Sequence, residues 1–349
     1  MAELHGNKFG THRVIEPKGV LPQPALRIDN DMSKEYDNEI LCDVITLNVD
    51  SASFTQIKDE AGKDPEKIKQ IMFSIIDRFG KHKNPVTGSG GMFIGVVKRI
   101  GSALEGKIDL KVGDRIASLV SLSLTPLRID EIKKIHINTD QVDIKGQAIL
   151  FESAIWAKLP EDMDDKLALA VLDVAGAPAQ TANLVRPGMR VLIVGASGKS
   201  GLLCAYVAKK YAGVTGQVIG TASSESGEKF LAEVPFLDDY FRCSATDAVA
   251  MYEKTAEKTE GQMVDLVISC VSRPDCEMGA ILPCRDGGTV YFFSMATSFT
   301  KAALGAEGVG MDVTMLIGNG YTKDHAIISL DYVRESQYIR DIYRKRYMD

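Results

Sequence analysis

The stretch that most constrains this chain is MRVLIVG (189–195), which runs directly into Gly195-Ala196-Ser197-Gly198-Lys199-Ser200-Gly201. A continuous apolar run bounded by turn residues reads as a strand buried on both faces, and such strands belong to parallel sheets covered by helices. The next residues, GLLCAYVAKKYAG, read as a helix, so the glycine turn joins a buried strand to a helix N-terminus. In that setting small residues let the backbone turn tightly, and free N–H groups with the helix dipole stabilise a pyrophosphate. Gly201 would let the helix pack closely on the strand. The Gly198-Lys199-Ser200 triplet also invites comparison with the triphosphate-binding P-loop. That loop needs a glycine five residues before Gly198, where Ile193 stands, so it is too short to wrap a triphosphate.

Five further strand-like segments follow: QVIGTA (217–222), DDYFRC (238–243), VDLVISCV (264–271), GTVYFFS (288–294) and DVTMLIG (312–318). Six strands with helical crossovers predict an α/β fold with a doubly wound parallel sheet of the Rossmann type. The stretch DDKLALAVLDVAGAPAQTANLV ahead of the sheet reads as a helix, and the tail from Ser329 to Met348 reads as another. The second strand of such a sheet ends in an acid when it holds the adenosine ribose of NAD. Here it ends in Thr221-Ala222-Ser223-Ser224, with neither an acid nor an arginine for a 2′-phosphate. NAD and NADP both remain open as cofactor, with Gly195, Ser197, Gly198, Lys199, Ser200, Gly201, Thr221, Ser223, Ser224 and Val271 as candidate contacts.

From about Asn38 to Leu124 the texture differs. EILCDVITLNV (39–49), MFIGVVKRIG (92–101) and RIASLVSL (115–122) read as short strands separated by glycine and charged turns, suggesting a small β-barrel or sandwich. Between them DPEKIKQIMFSIIDRF (64–79) has helical period, with Ile68, Ile71, Met72, Ile75, Ile76 and Phe79 on one face. The 349 residues thus suggest two domains.

Charge narrows the partners. A net charge of −6 argues against nucleic acid, and the basic run Arg340–Arg346 reads as the solvated face of a terminal helix. Neither a secretory h-region nor a membrane-spanning apolar run stands out, which predicts a cytoplasmic protein with no membrane partner. Six cysteines at 42, 204, 243, 270, 276 and 284 form no C-x-x-C pair and read as reduced thiols in apolar surroundings. Five scattered histidines offer no metal-binding spacing, so no metal is expected.

On these segments the chain resembles the medium-chain dehydrogenase/reductase superfamily. EILCDVITLNVDSASF, Gly95-Val96-Val97, Lys111-Val112-Gly113-Asp114-Arg115, KLPEDM (158–163), DVAGAPAQ (173–180) and the glycine turn come in that family's order. The resemblance implies a GroES-like β-barrel substrate domain over residues 1–160 and 321–349, a dinucleotide-binding domain over 161–320, reaction between them, and a homodimer. Zinc-dependent members carry ligands where this chain has Leu47-Asn48-Val49-Asp50, Gly91-Met92-Phe93 and the neighbourhood of Val174. Without imidazole or thiolate there, the chemistry is expected from side chains alone.

More narrowly, GTHRVIEPKGVLPQPA (10–25), NPVTGSGGMFIG (84–95), LVSLSLTPLRIDEI (119–132), ILFESAIWAKLP (149–160) and the block 292–326 are similar to the diaminohexanoate dehydrogenase family of lysine fermentation. This implies oxidative deamination of a small cationic amino acid with reduction of NAD(P). A zinc-free NADPH-dependent quinone or enoyl reductase, or a nucleotide-binding sensor without catalysis, would use the same fold.

Such a reaction needs a base for the amine and anchors for the remaining charges. If the family fold holds, Asp50, Glu152 and Asp173 lie on cleft-lining segments as catalytic candidates. Glu152 and Asp173 stand in apolar sequence, where a carboxylate is costly unless paired or protonated. The competing reading is a structural acid that caps a turn or pairs with a lysine. Asn48 and Ser51 are candidates to bind substrate or water, or to make a turn. Arg128 and Lys323 are candidates for the substrate carboxylate, or solvated surface charge. The resemblance sets the nicotinamide at Phe293, Ser294 and Met295, which would serve equally as core. His325 is either a proton shuttle or hydrogen-bonded structure.

Overall fold

The computed structural model describes residues 3–294, 296–318 and 320–348, and it divides into two compact units. One comprises Met1–Asp173 with Arg346–Asp349, the other Val174–Lys345.

In the first unit β1 (Val14–Glu16) and β2 (Arg27–Ile28) pair as a small hairpin. The chain continues through β3 (Glu39–Asn48), α1 (Ser51–Glu60), α2 (Pro65–Phe79), β4 (Met92–Ile100) and β5 (Arg115–Ser118). After these come β6 (Leu127–His136), β7 (Gln141–Phe151), β8 (Trp156–Lys158) and α3 (Asp165–Leu172). Strands β3 to β8 form a six-stranded antiparallel sheet in the order β6-β7-β3-β4-β5-β8.

Helix α2 spans the expected residues. Asp64 caps it by accepting from the Glu66 amide, Pro65 opens it and Gly80 closes it. At 15 residues it would be marginal alone. Ile68, Met72, Ile75, Ile76 and Phe79 settle the matter by burial against the sheet, at roughly 1.5–3 kcal/mol each. Against expectation, residues 51–60 form a helix, the strand from Arg115 stops at Ser118, and 127–151 make a long hairpin.

The second unit begins with α4 (Gly176–Leu184), β9 (Arg190–Val194), α5 (Lys199–Ala212), β10 (Gln217–Ala222), α6 (Glu225–Leu231) and β11 (Asp239–Arg242). It goes on through α7 (Ala248–Lys258), β12 (Val264–Ser269), α8 (Glu277–Ile281), β13 (Cys284–Phe292), α9 (Phe299–Val309) and β14 (Thr314–Ile317). Helices α10 (His325–Glu335) and α11 (Gln337–Tyr347) close the chain. All six strands run parallel in the order β11-β10-β9-β12-β13-β14. The order reverses at β9 and β12, so the crevice at their carboxyl ends is the topological switch point.

Two expected helices are each divided. The stretch after Asp164 breaks at Asp173-Val174-Ala175, where a new helix starts with Pro178 in its first turn. The tail breaks at Ser336. The division between units also differs from the expected boundaries. Residues 321–345, expected with the barrel, cluster with the parallel sheet because α10 packs on α4 and Ser329 Oγ donates to Ala175 O (2.9 Å). Residues 161–173, expected with the Rossmann domain, cluster with the antiparallel sheet.

Candidate active site

The glycine turn lies between β9 and α5. A Cβ on Gly201 would sit 2.2 Å from Gly195 O and 2.8 Å from Ala196 Cα, so only glycine lets the helix approach this closely. Gly198 caps α5 without a side-chain hydrogen bond, and the N–H groups and dipole of a helix N-terminus favour an anion there. Gly195 N–H donates to Thr221 Oγ1 (3.3 Å) and Ala196 N–H to Thr221 O (2.9 Å). Thr221 therefore braces the turn from the cavity wall.

A cavity of about 210 Å³ opens beside the turn. Of the residues expected to hold a dinucleotide, Gly195, Ser197, Gly198, Thr221, Ser223 and Val271 line it. Lys199, Ser200 and Gly201 do not line it; they form the first turn of α5. Ser224 caps α6, accepting from Gly227 N–H (3.0 Å). Phe293 and Ser294 follow β13, where Ser294 is buried and its Oγ accepts from Ala296 N–H (3.1 Å); Met295 lies outside the described residues. Sequence reasoning missed Cys243, Ser244, Cys270, Arg273 and Cys276 in the cavity wall. It also missed Tyr343, a buried α11 residue whose hydroxyl donates to Lys199 O (2.6 Å). These come from strand ends and a helix remote in sequence. The cradle that a Cβ would fill, the helix N-terminus and the cavity together suit a dinucleotide.

In the first unit, Asn48 ends β3 buried, and its Nδ2 donates to Asp173 Oδ1 (3.2 Å). Asp173 is not inside a helix; it is the exposed residue that ends α3. Asp50 caps α1: Oδ1 accepts from Ser53 N–H (3.0 Å) and Oδ2 from Ser89 Oγ (2.7 Å). Around it, Ser53 Oγ contacts Thr87 Oγ1 (2.5 Å) and Ser89 Oγ (2.9 Å), strapping the loop 84–91 to residues 48–53. Gly91, at φ +103°, makes the close approach possible, since a Cβ there would lie 2.0 Å from Asn48 O.

Beneath this cluster sits His82, fully buried, with neither ring nitrogen in a hydrogen bond. Burial pushes its pKa down to about 4, partly opposed by the Asp50 carboxylate and by the backbone of Gly90 and of His82 itself. No motif marks His82 in the sequence.

The remaining candidates separate from this cluster. Glu152 is exposed just beyond β7 and accepts from Asn38 Nδ2 (3.3 Å). It adjoins the Glu39 end of β3, whereas Asn48 is at the other end, roughly 30 Å away at ~3.3 Å per residue. The apolar sequence before it belongs to the strand, and the carboxylate itself is solvated. Ser51 Oγ donates to Asp140 (2.8 Å). Arg128 lies on the exposed face of β6, donating to Asp130 (2.9 Å) and Gln147 (2.9 Å), as solvated surface charge does. Lys323 is exposed in the loop before α10. His325 is buried with its ring edge-on to Tyr321, and burial lowers its pKa. Among the described residues no group of three or more His, Cys, Asp or Glu is placed to hold a metal ion.

The parallel sheet, the glycine cradle and the antiparallel sheet define a dehydrogenase/reductase fold of the medium-chain type. Solved structures share it. A mycobacterial quinone oxidoreductase matches with TM-score 0.54 and 16% identity over 93% of this chain and 86% of its own. An alcohol dehydrogenase from Thermus sp. ATN1 matches with TM-score 0.55 and 16% identity over 88% and 85%.

Closer relatives specify the family. The profile of the L-erythro-3,5-diaminohexanoate dehydrogenase N-terminal domain matches residues 12–160. The L-erythro-3,5-diaminohexanoate dehydrogenase of Acetoanaerobium sticklandii is 60% identical over 99% of this chain and 100% of its own length. That of Fusobacterium nucleatum subsp. nucleatum is 57% identical over 98% and 99%. The chain belongs to the L-erythro-3,5-diaminohexanoate dehydrogenase family, and it is an oxidoreductase.

Proposed function

We propose that this chain catalyses oxidative deamination of (3S,5S)-3,5-diaminohexanoate to 5-amino-3-oxohexanoate and ammonia, with reduction of NAD or NADP, in lysine fermentation. The observation that carries the reading is 60% identity across the whole chain to a dehydrogenase of that name. The cavity beside the glycine turn supports the cofactor part, and a mycobacterial protein of this fold takes NADPH.

When bound, the nicotinamide supplies the hydride acceptor. Gly195, Ser197 and Gly198 would hold the pyrophosphate, and Ser223 and Arg273, which line the same cavity, would contact the adenosine end. Asp173 takes the proton from the reacting ammonium, because an amine must be neutral before its carbon releases hydride. Asn48, itself buried, orients that carboxylate through the 3.2 Å bond. Asp50 shapes the loop and adds negative charge that favours a cationic substrate. No metal takes part in this reading: where zinc-dependent members carry ligands, this chain has Leu47-Asn48-Val49-Asp50, Gly91-Met92-Phe93 and the neighbourhood of Val174, without imidazole or thiolate.

We further propose a cytoplasmic homodimer. Strand β14 lies at the sheet edge with Ile317 exposed, and α9 exposes Phe299, Leu304 and Val309. Light scattering on the purified protein tests it, and a monomer at micromolar concentration would exclude it.

The enzymatic reading is tested by the reduced-nicotinamide absorbance in chelator-treated buffer, with 3,5-diaminohexanoate and NAD or NADP in parallel. Cofactor reduction with matching ammonia release is expected. No reduction with either, alongside NADPH consumption with quinones or enones, would overturn it.

A further inference from the structure

Two cysteines meet under the dinucleotide cavity. Cys204 lies in the second turn of α5, fully buried, and Cys270 follows β12 in the cavity wall. Their sulfurs are 4.0 Å apart. Cys243 and Cys276 line the same cavity, but their thiols turn to backbone carbonyls, of Ser244 (3.5 Å) and Pro274 (3.7 Å). Only the first pair has a sulfur within reach of a sulfur among these four.

We propose that Cys270 and Cys204 form an oxidation site: a peroxide entering the cavity oxidises Cys270, Cys204 closes on it as a disulfide, and dinucleotide binding is weakened. The site goes beyond the catalytic reading and rests on it only in taking this cavity as the dinucleotide's. In the first step the Cys270 sulfur attacks one peroxide oxygen and the O–O bond breaks. The thiol proton leaves with the departing hydroxide as water, and Cys270 becomes a sulfenic acid. In the second step the Cys204 sulfur attacks the Cys270 sulfur and the S–O bond breaks. The leaving hydroxide takes the Cys204 proton as a second water. Two thiols give up two electrons in all, and the peroxide accepts them.

The order follows from access. Cys270 is half-buried and faces the cavity, whereas Cys204 has no opening to solvent, and burial together with Cys270 drives its thiol well above the usual range. Cys204 therefore waits as a thiol until its neighbour is activated.

Bond formation brings the sulfurs from 4.0 Å to about 2.05 Å. Cys204 sits in a helix pinned by Gly201 against Gly195, so Cys270 makes most of that movement. Its N–H is bonded to Val194 O (2.9 Å), and the next residue, Val271, rests against Gly195, where even a Cβ would lie 2.9 Å from Val271 Cγ2. Pulling Cys270 toward α5 thus shifts the wall that borders the pyrophosphate turn.

The full-length protein, treated with hydrogen peroxide with and without saturating NADH, supplies the test by non-reducing peptide mapping and NADH fluorescence titration. A 204–270 cross-link is expected, with NADH affinity weakened by roughly tenfold or more. Dithiothreitol should restore it, and bound NADH should slow the cross-link. Cys204→Ala should bind NADH normally and, after peroxide, yield a Cys270 sulfenic acid that a 1,3-diketone traps. If that variant does not fold, Cys204→Ser serves in its place. Oxidation confined to Cys243 or Cys276, or a cross-linked protein with unchanged NADH affinity, would overturn the proposal. Untreated protein that binds neither NADH nor NADPH would instead sink the cofactor reading, and this proposal with it.

Discussion

Replacing His82 with leucine isolates the effect of a buried imidazole beside the candidate site. In the folded protein the ring is fully buried and its pKa is about 4, against an ordinary value of 6.5 in an exposed or unfolded chain. Between those values the unfolded state binds a proton that the folded state refuses. The histidine therefore costs nothing above pH 6.5 and destabilises increasingly as pH falls toward 4. At pH 5 the difference in proton binding amounts to about 2 kcal/mol, from the two pKa values and the linkage relation. Leucine cannot titrate, and it also removes two buried nitrogens that lack partners. At pH 8 the two proteins should be of similar stability, or the variant slightly more stable.

The assay is urea unfolding of wild type and His82→Leu at pH 8 and pH 5, with the quantity of interest the change in their difference. Comparing the pair cancels the other titrating groups, notably Glu39 and Asp143. The variant should gain about 2 kcal/mol relative to wild type on going from pH 8 to pH 5. Parallel stability–pH curves would refute the reasoning, since they would mean that the imidazole is solvated or paired.

Other substitutions probe the rest of the site. Gly201→Ala forces α5 off β9; it should weaken NADH binding by at least roughly tenfold and cost ~1–3 kcal/mol in thermal unfolding, and unchanged titration curves would remove Gly201 from the cradle. Asp173→Asn should lower kcat by about 10²-fold or more while Glu152→Gln leaves it nearly unchanged, as expected of a base and a distant surface acid. The opposite ranking in steady-state kinetics would reassign the base. Glu39 is buried against Arg13 through bonds of 2.7 and 2.8 Å, with His12 at 2.7 Å, so Glu39→Gln strands a buried guanidinium. Its expected cost is about 3–5 kcal/mol by denaturant titration. Burial raises the Glu39 pKa, but the His12 and Arg13 bonds more than offset this and leave it lowered. That stability is accordingly lost as pH falls through the carboxylate range, whereas a flat acid limb would argue against the pair.

The glycine turn was legible because its elements are local: a fully apolar strand, small residues and a helix follow one another without a gap. Helix α2 was legible for the same reason, its apolar face, cap and closing glycine all lying within 17 residues. Glu152 misled because apolar neighbours in sequence were taken as apolar surroundings; the strand ends at Phe151, and the next side chain is solvated. Asp173 misled similarly, its helix ending one residue earlier.

Local patterning was thus enough for the parallel strands, the helices of marked amphipathicity and the turn that suits a dinucleotide. It could not say which acids share a site. Asn48 meets Asp173 across 125 positions, His82 lies under Asp50, and Cys204 touches Cys270 across 66, each through strand register and helix packing. Such proximities depend on which strands pair and at which ends. A one-residue shift in register would turn those side chains to the other face, so the chemistry of the site is set by long-range pairing that no short segment encodes.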